Sequence, residues 1–224
     1  MTKNVLALLV LCGAVNAIRA ETVPLSYAVR FKDAVVATQV VTFVQDAGGD
    51  TVRAEFAADL HVFIATHHYA EEQTATHRAD GTVSAFRAVR VDGMDRVELE
   101  GRLGSDDVLQ VVRQDAGGVS TNFIPRADYD FSSLMMYGHA PESYLPTNAP
   151  ARVLDILQGR VIPVMLQSIS ESITVERQNV KTRHLVWTDG EFISHSWHPE
   201  RFNNLPSRYL RHNGSGVFDF TLQR

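Results

Sequence analysis

The chain has 224 residues, a formal net charge of −5 and one cysteine. Its charges are interspersed, and the sequence has neither a basic patch nor a polybasic run. Composition therefore gives no support for a partner such as a nucleic acid or an anionic membrane surface. A chain of this length is long enough to bury a sizeable core in a single domain.

Residues 1–20 have the pattern of a secretory signal peptide. Lys3 precedes an apolar stretch over 5–11, and Ala17 and Ala20 offer small residues for cleavage. The apolar stretch is shorter than the roughly 20 residues that span a bilayer. We predict a periplasmic or secreted protein with a signal peptide at 1–20 and one domain over 21–224. The alternatives are a buried N-terminal strand and a lipoprotein signal at Cys12, where Leu11 replaces the small residue expected before a lipidated cysteine.

Cys12 lies inside this predicted signal peptide and would be removed with it. The mature chain would then have no disulfide, no thiolate nucleophile and no cysteine ligand for a metal. Its stability would depend on the packed core alone.

Residues 52–64 carry the clearest structural signal. Every even position from Val52 to Ile64 is apolar, and most odd positions are polar. A period of two over thirteen residues indicates a strand with one buried face. Since ordinary strands have about five or six residues, a strand of this length suits a large curved sheet or an open barrel.

The rest of the chain reads as short alternating segments between turns such as Asp80-Gly81 and Asp92-Gly93. Turn signals at roughly ten-residue spacing are typical of an antiparallel meander. Long amphipathic helices do not alternate with the strands, which disfavours a parallel α/β fold. We predict an all-β fold, namely a single antiparallel curved sheet or open barrel of roughly ten to twelve strands.

Three segments depart from simple alternation. Residues 34–44 and 161–166 are apolar on both faces, which predicts strands that are covered on both sides or line an apolar cavity. Residues 66–78 are polar on both faces, which is typical of an edge strand or of the wall of a wet cavity.

Residues 120–152 combine four prolines with several aromatic residues and include a predicted short helix near 132–137. So long a connection is unusual in a compact domain. It is either a lid over the sheet or a packed crossing segment that closes one end of the barrel.

The histidines raise the question of a metal site. His67, His68 and His77 share one segment with Glu71 and Glu72. His67 and Glu71 would lie roughly 13 Å apart along a strand, which is too far for one ion without ligands from another strand. We predict no metal and no cofactor.

Catalytic motifs are weak. The chain has no Gly-x-Ser-x-Gly elbow and no glycine-rich phosphate loop. Ser132 or Ser133 could meet a histidine only through the tertiary fold, so we nominate no catalytic residue.

The order of several short motifs resembles a family of exported bacterial proteins classed as domains of unknown function, of the 6134 and 3108 type. The matching residues are 27–29, 69–72, 155–160 and 196–198, while His77 stands where that family has tryptophan. The family is similar in outline to periplasmic open-barrel lipoprotein carriers. The resemblance implies a curved sheet that holds an acyl chain under a lid, and it brings no catalytic residues.

These observations predict an exported protein that binds an apolar or amphipathic, lipid-like ligand in a curved-sheet cavity. One alternative is a non-catalytic structural or protein-interaction module of the cell envelope with a solid core and an envelope protein as partner. The other is a His/Glu-dependent hydrolase or metal-binding protein. The candidate ligand-binding residues are Phe56, Phe63, Tyr69, Phe131, Met135, Met136 and Tyr137.

Overall fold

The computed structural model describes residues 21–32, 34–46, 49–62, 65–137, 148–175, 177–188, 193–200, 205–213 and 216–223. The predicted signal peptide at 1–20 and Phe63 lie outside the described residues. Short 3-10 helices span Arg126–Asp128 and Ser133–Tyr137. The strands in these ranges are β1 (Glu21–Phe31), β2 (Ala34–Asp46), β3 (Gly49–Val62), β4 (Ala65–Arg78), β5 (Val83–Asp92), β6 (Asp95–Leu103), β7 (Val108–Asp115), β8 (Gly118–Pro125), β9 (Phe131–Ser132), β10 (Ala149–Asp155), β11 (Arg160–Val175), β12 (Gln178–Thr188), β13 (Ile193–Pro199), β14 (Arg208–Asn213) and β15 (Gly216–Gln223).

All these strands belong to one sheet. Its order runs from β8 back to β1, continues with β15 and runs back to β9. Neighbouring strands pair antiparallel, except for the short parallel pair β9–β10. The predicted all-β fold with a single curved sheet is confirmed. The predicted count of ten to twelve strands is wrong, because the described residues form fifteen, one of which is β8 in the segment expected to be a loop.

Contacts across the interior show how strongly the sheet curls. Glu71 on β4 and Arg211 on β14 are separated by five strand steps, about 24 Å in a flat sheet. Their charged groups are 3.0 Å apart. The sheet therefore curls until distant strands face each other, yet its terminal strands β8 and β9 are not paired with each other.

The turn between β10 and β11 packs against the opposite part of the sheet. Gly159 in this turn has φ +64, and a Cβ atom there would lie 2.5 Å from Leu99 Cδ2 on β6 and 3.0 Å from Val111 Cγ1 on β7. Glycine is needed here both for the left-handed backbone and for the close approach. Packing, rather than a strand ladder, holds this turn against the far side of the barrel.

Strand β3 supplies the middle of the core. Its even positions are buried at Val52, Ala54, Phe56 and Ala58, as the sequence pattern predicts. The Phe56 ring lies 5.9 Å from the Tyr69 and Phe220 rings and 6.4 Å from Phe218. Side chains therefore fill this part of the interior.

The prediction that residues 34–44 are covered on both faces is wrong. Val41 is buried, whereas Val35 and Val40 on the other face are 60 % and 37 % exposed. Residues 161–166 are likewise not covered on both faces, since Val164 and Leu166 are buried and Met165 is exposed. In this single-layer sheet the outer face meets solvent at these positions. The other alternative, a strand that lines a cavity, matches Ile162 and Val164.

Strand β4 contains the segment that is polar on both faces. It is not an edge strand, because it pairs with β3 and β5. Its inward face buries three polar side chains, Glu71, Gln73 and His77. A buried polar face of this kind requires partners inside the fold.

Within the long connection, residues 126–137 pack into the core. Tyr129 and Leu134 are almost completely buried in the main hydrophobic cluster. For residues 126–137, this placement matches the crossing-segment alternative. The predicted helix near 132–137 is a 3-10 helix over Ser133–Tyr137, and residues 138–147 lie outside the described part of the chain.

We expect Phe56→Ala to destabilise the protein by about 3–5 kcal/mol, because it opens a cavity in the aromatic cluster. Phe123→Ala is the matched control, since Phe123 on β8 is 62 % exposed. Urea unfolding of both variants measures the difference. Equal midpoints would contradict the assigned core.

Candidate functional site: a polar-walled cavity

A cavity of about 220 Å³, partly open to solvent, lies inside the curled sheet between β4 and the β10–β14 half. Its apolar wall is formed by Leu157, Ile162, Val164 and Leu210. Three aromatic residues, Tyr137, Trp187 and Tyr209, also line it. The remaining lining is polar and comprises Gln73, Ser133, Asp155, Gln158, Ser194, His195, Ser196, Arg211 and His212.

Arg211 is fixed in this cavity by an ion pair with Glu71. Its Nη1 donates to both carboxylate oxygens of Glu71, at 3.2 Å and 3.0 Å. The Tyr69 hydroxyl also donates to Glu71, and Gln73 Nε2 lies 3.5 Å from the second oxygen. Glu71 keeps only 2 % of its side chain exposed, whereas Arg211 keeps 39 %. Glu71 thus raises the pKa of Arg211 and anchors its guanidinium at the cavity wall.

Buried tyrosines form the adjoining wall. Tyr209 donates its hydroxyl hydrogen to Gln39, and its ring lies 5.2 Å from the Tyr137 ring in an edge-on arrangement. Tyr27 donates to the carbonyl oxygen of Pro206 at 2.8 Å. Burial raises the pKa of Tyr137 and of Tyr209, which keeps both hydroxyls neutral. The wall is therefore hydrogen-bonded and uncharged.

Asp155 stands where β10 ends and the turn to β11 begins. Its Oδ1 accepts hydrogen bonds from the backbone N–H groups of Leu157 at 2.9 Å and Gln158 at 3.2 Å. Burial raises the pKa of Asp155, and the charge of Glu71 raises it further. Arg211 and the two backbone donors oppose this shift without cancelling it. The cavity thus contains a carboxyl group that resists ionisation.

The structure separates the residues nominated from the sequence. Tyr137 lines the cavity. Tyr69 adjoins it through Glu71, whereas Phe56 belongs to the filled core. Phe131 and Met135 pack in a second cluster around β10–β12. Phe63 and the Met136 side chain lie outside the described residues. Ligand binding by any of these residues stays a prediction.

Sequence reasoning missed Arg211, Trp187 and the role of Asp155. Arg211 and Glu71 are 140 positions apart, so their pairing leaves no local pattern. The one available signal was Asp155 at the start of a turn that ends in Gly159, where a buried carboxylate can accept backbone hydrogen bonds.

Histidines of β4 have separate partners. His67 and His68 are exposed and contact Asp92 and Asp59 at 2.5 Å and 2.8 Å. His77 is buried, and its Nε2 lies 2.7 Å from Ser132 Oγ. Within the described ranges no group of three or more His, Cys, Asp or Glu residues is arranged to hold a metal ion.

Ser132 contacts a histidine, His77, which is a possibility that the sequence had raised for Ser132 and Ser133. Ser132 is completely buried and His77 nearly so. Neither residue lines the cavity. The pair therefore ties β9 to β4 and presents no nucleophile to solvent.

A second cluster of titratable side chains joins β12 and β13. His184 Nε2 lies 3.0 Å from His195 Nδ1, and the His184 ring stacks on Trp197 at 4.5 Å. Glu171 accepts a hydrogen bond from Trp197 Nε1 at 2.8 Å. Burial lowers the pKa of His184 and of His195. This cluster meets the cavity through His195.

In the part of the chain that the structure describes, no helix is long and apolar enough to cross a membrane. No protein-family model and no curated protein matches the chain. The predicted assignment to domains of unknown function 6134 or 3108 is therefore without support.

The fold is similar to the crystal structure of a β-barrel-like protein of domain of unknown function DUF1849 from Brucella abortus. The TM-score is 0.63 and the identity is 12 %, over 92 % of this chain and 96 % of that chain. A likeness at this identity shows the fold alone. This likeness supports the prediction that the chain has a β-rich fold, similar to that of a domain of unknown function.

We expect Glu71→Gln to destabilise the protein by about 1–3 kcal/mol, because it leaves the Arg211 guanidinium without its charged acceptor. Glu72→Gln on the same strand is the control. Glu72 pairs with Arg53 where both side chains are more than 40 % exposed, so its loss costs about 0–1 kcal/mol. Urea unfolding at neutral pH measures both, and a larger effect of the control would contradict the assigned anchor.

Burial lowers the pKa of His77 below its ordinary value of 6.5. The unfolded chain therefore binds a proton that the folded protein resists, and this residue's contribution to stability is lost as the pH falls through 6.5. We expect His77→Gln, which can keep a hydrogen bond to Ser132, to weaken the acid destabilisation seen in urea midpoints across that range. Parallel pH profiles of the variant and the wild type would contradict this account.

Proposed function

We propose that this protein is an exported, envelope-located protein that binds a small amphipathic ligand in the cavity of its curled sheet. One observation carries the proposal: a cavity of about 220 Å³ combines an apolar wall with a fixed polar cluster around Arg211. Ligand pockets typically have this composition, with apolar lining and a few well-placed polar groups.

The cavity volume limits what can be enclosed. Ligand pockets commonly measure about 300–1,000 Å³, and 220 Å³ corresponds to about seven waters at roughly 30 Å³ each. The enclosed part of the ligand is therefore a head group with a short apolar segment. A longer tail would extend out through the open side of the cavity. The cavity would therefore enclose only part of a lipid-like ligand.

Export rests on the sequence of residues 1–20, which has the three regions of a signal peptide. A periplasmic location suits a protein that binds amphipathic molecules of the envelope. The β-barrel-like fold is compatible with this role, since such sheets enclose ligands in many proteins.

A second candidate function is a protein-interaction module. Strand β8 is one edge of the sheet, and Val119 and Phe123 on it are 69 % and 62 % exposed. An exposed apolar edge can accept a strand from a partner. The solid main core is compatible with this reading.

Native mass spectrometry of the protein purified from the periplasm tests the first proposal. We expect a retained mass of a small amphipathic molecule, and uptake of an apolar fluorescent probe by the stripped protein. A clean apo mass together with no probe uptake would overturn ligand binding and favour the interaction module.

Ser194→Phe localises the binding. Ser194 lines the cavity and pairs with Trp187 and Arg211 on the neighbouring strands. The added ring fills the cavity, so we expect loss of the retained mass and at least about tenfold weaker probe binding, equal to roughly 1.4 kcal/mol. Ser170→Phe, at an exposed position on β11, is the matched control and should leave binding unchanged.

A further inference from the structure

The charges at the cavity balance only while Asp155 is protonated. Glu71 and Arg211 neutralise each other through two hydrogen bonds. Asp155 lines the same cavity and adds a second carboxyl group. If Asp155 ionises, the three groups together carry one net negative charge.

Asp155 has hydrogen bonds but no cation of its own. Its Oδ1 accepts the two backbone N–H groups of the turn, and no ion pair of Asp155 occurs in the described part of the chain. Burial disfavours an ionised carboxyl group that lacks a compensating cation. The upward shift in the pKa of Asp155 agrees with this imbalance. The empty cavity is therefore balanced while Asp155 is protonated and short of one positive charge once Asp155 is ionised.

We propose that the ligand is an amphipathic amine whose protonated nitrogen is recognised by Asp155 and whose apolar segment lies against the Leu157–Ile162 wall. This inference rests on the proposed function. An ammonium group supplies the missing charge and donates hydrogen bonds to the carboxylate. Tyr137, Trp187 and Tyr209 provide aromatic lining, which attracts organic cations.

Other head groups fit less well. An anionic head group would meet the Asp155 carboxyl group and a guanidinium that is already bound to Glu71. A neutral head group would leave Asp155 protonated and would gain no charge-assisted hydrogen bond from it. A protonated amine alone turns the cavity into a balanced set of two positive and two negative charges.

Binding measurements with three probes of equal chain length test the proposal: hexylamine, hexanol and hexanoate, titrated calorimetrically into the wild-type protein at neutral pH. We expect hexylamine to bind about tenfold more tightly than hexanol, because it adds a charge-assisted hydrogen bond. Hexanoate should bind most weakly.

Asp155→Asn isolates the carboxylate. Asparagine keeps the oxygen that accepts the two turn hydrogen bonds, and it removes the charge. Since the ionised group is costly when buried, this variant should be at least as stable as wild type at neutral pH. We expect it to bind hexylamine and hexanol equally. Asp95→Asn, at an exposed position on β6, should keep the preference for the amine.

Proton release gives a second readout that a structural role would not produce. An ammonium group that stabilises ionised Asp155 displaces the proton of its carboxyl group. Calorimetric titration in buffers of different ionisation enthalpy should therefore show a net release of protons on binding. This release should increase as the pH is lowered. Asp155→Asn should show none of this release. Other titratable groups on the elements around the cavity are Glu71, Tyr137, His195, Tyr209, Arg211 and His212.

The outcomes separate the two proposals. Equal affinity of wild type for the three probes, or a preference that survives in Asp155→Asn, would overturn the amine assignment and leave ligand binding intact. Failure of wild type to bind any probe, together with a clean apo mass, would overturn ligand binding itself.

Discussion

The arrangement of this molecule depends on the encounter between β4 and β14 inside the curled sheet. Glu71 is nearly inaccessible to water and would be costly there as an isolated charge. Arg211 reaches it from a strand five steps away. The sheet must curl for this pair to form, and the pair in turn fixes how far apart the two walls stand. The cavity occupies the space beside that contact.

The interior is divided between packing and open space. On the β1–β7 side, aromatic and aliphatic residues around Phe56 fill the concave face. On the β10–β14 side, the lining changes to hydroxyl, amide and charged groups around the cavity. The main core and the cavity thus occupy neighbouring parts of the interior. The two regions share residues, since Leu157 and Tyr209 of the main cluster and Val164 of the second cluster also line the cavity.

Local periodicity was enough to predict the all-β class and the buried face of β3, because alternate side chains on a strand must point to opposite faces. The same rule failed for residues 34–44, where apolar side chains such as Val35 lie on the outer surface. The pattern of apolar residues along a strand does not reveal which face of the sheet meets solvent. Local periodicity could not predict the candidate site, because Arg211 and Glu71 meet only after the whole sheet has curled. Similarly, the prolines of the long connection indicated irregular backbone, but not that Leu134 would be buried in the core.

The unpaired strands β8 and β9 have a consequence for the size of the cavity. In a closed barrel, strand number and stagger determine the girth, which cannot change without breaking ladder hydrogen bonds. Here the last turns of the sheet are held by side-chain contacts, such as His77 with Ser132 and the Gly159 turn against Leu99. These side-chain contacts are not part of any strand ladder. The girth of this sheet is therefore set by side-chain contacts across the interior and not by a closing ladder between β8 and β9.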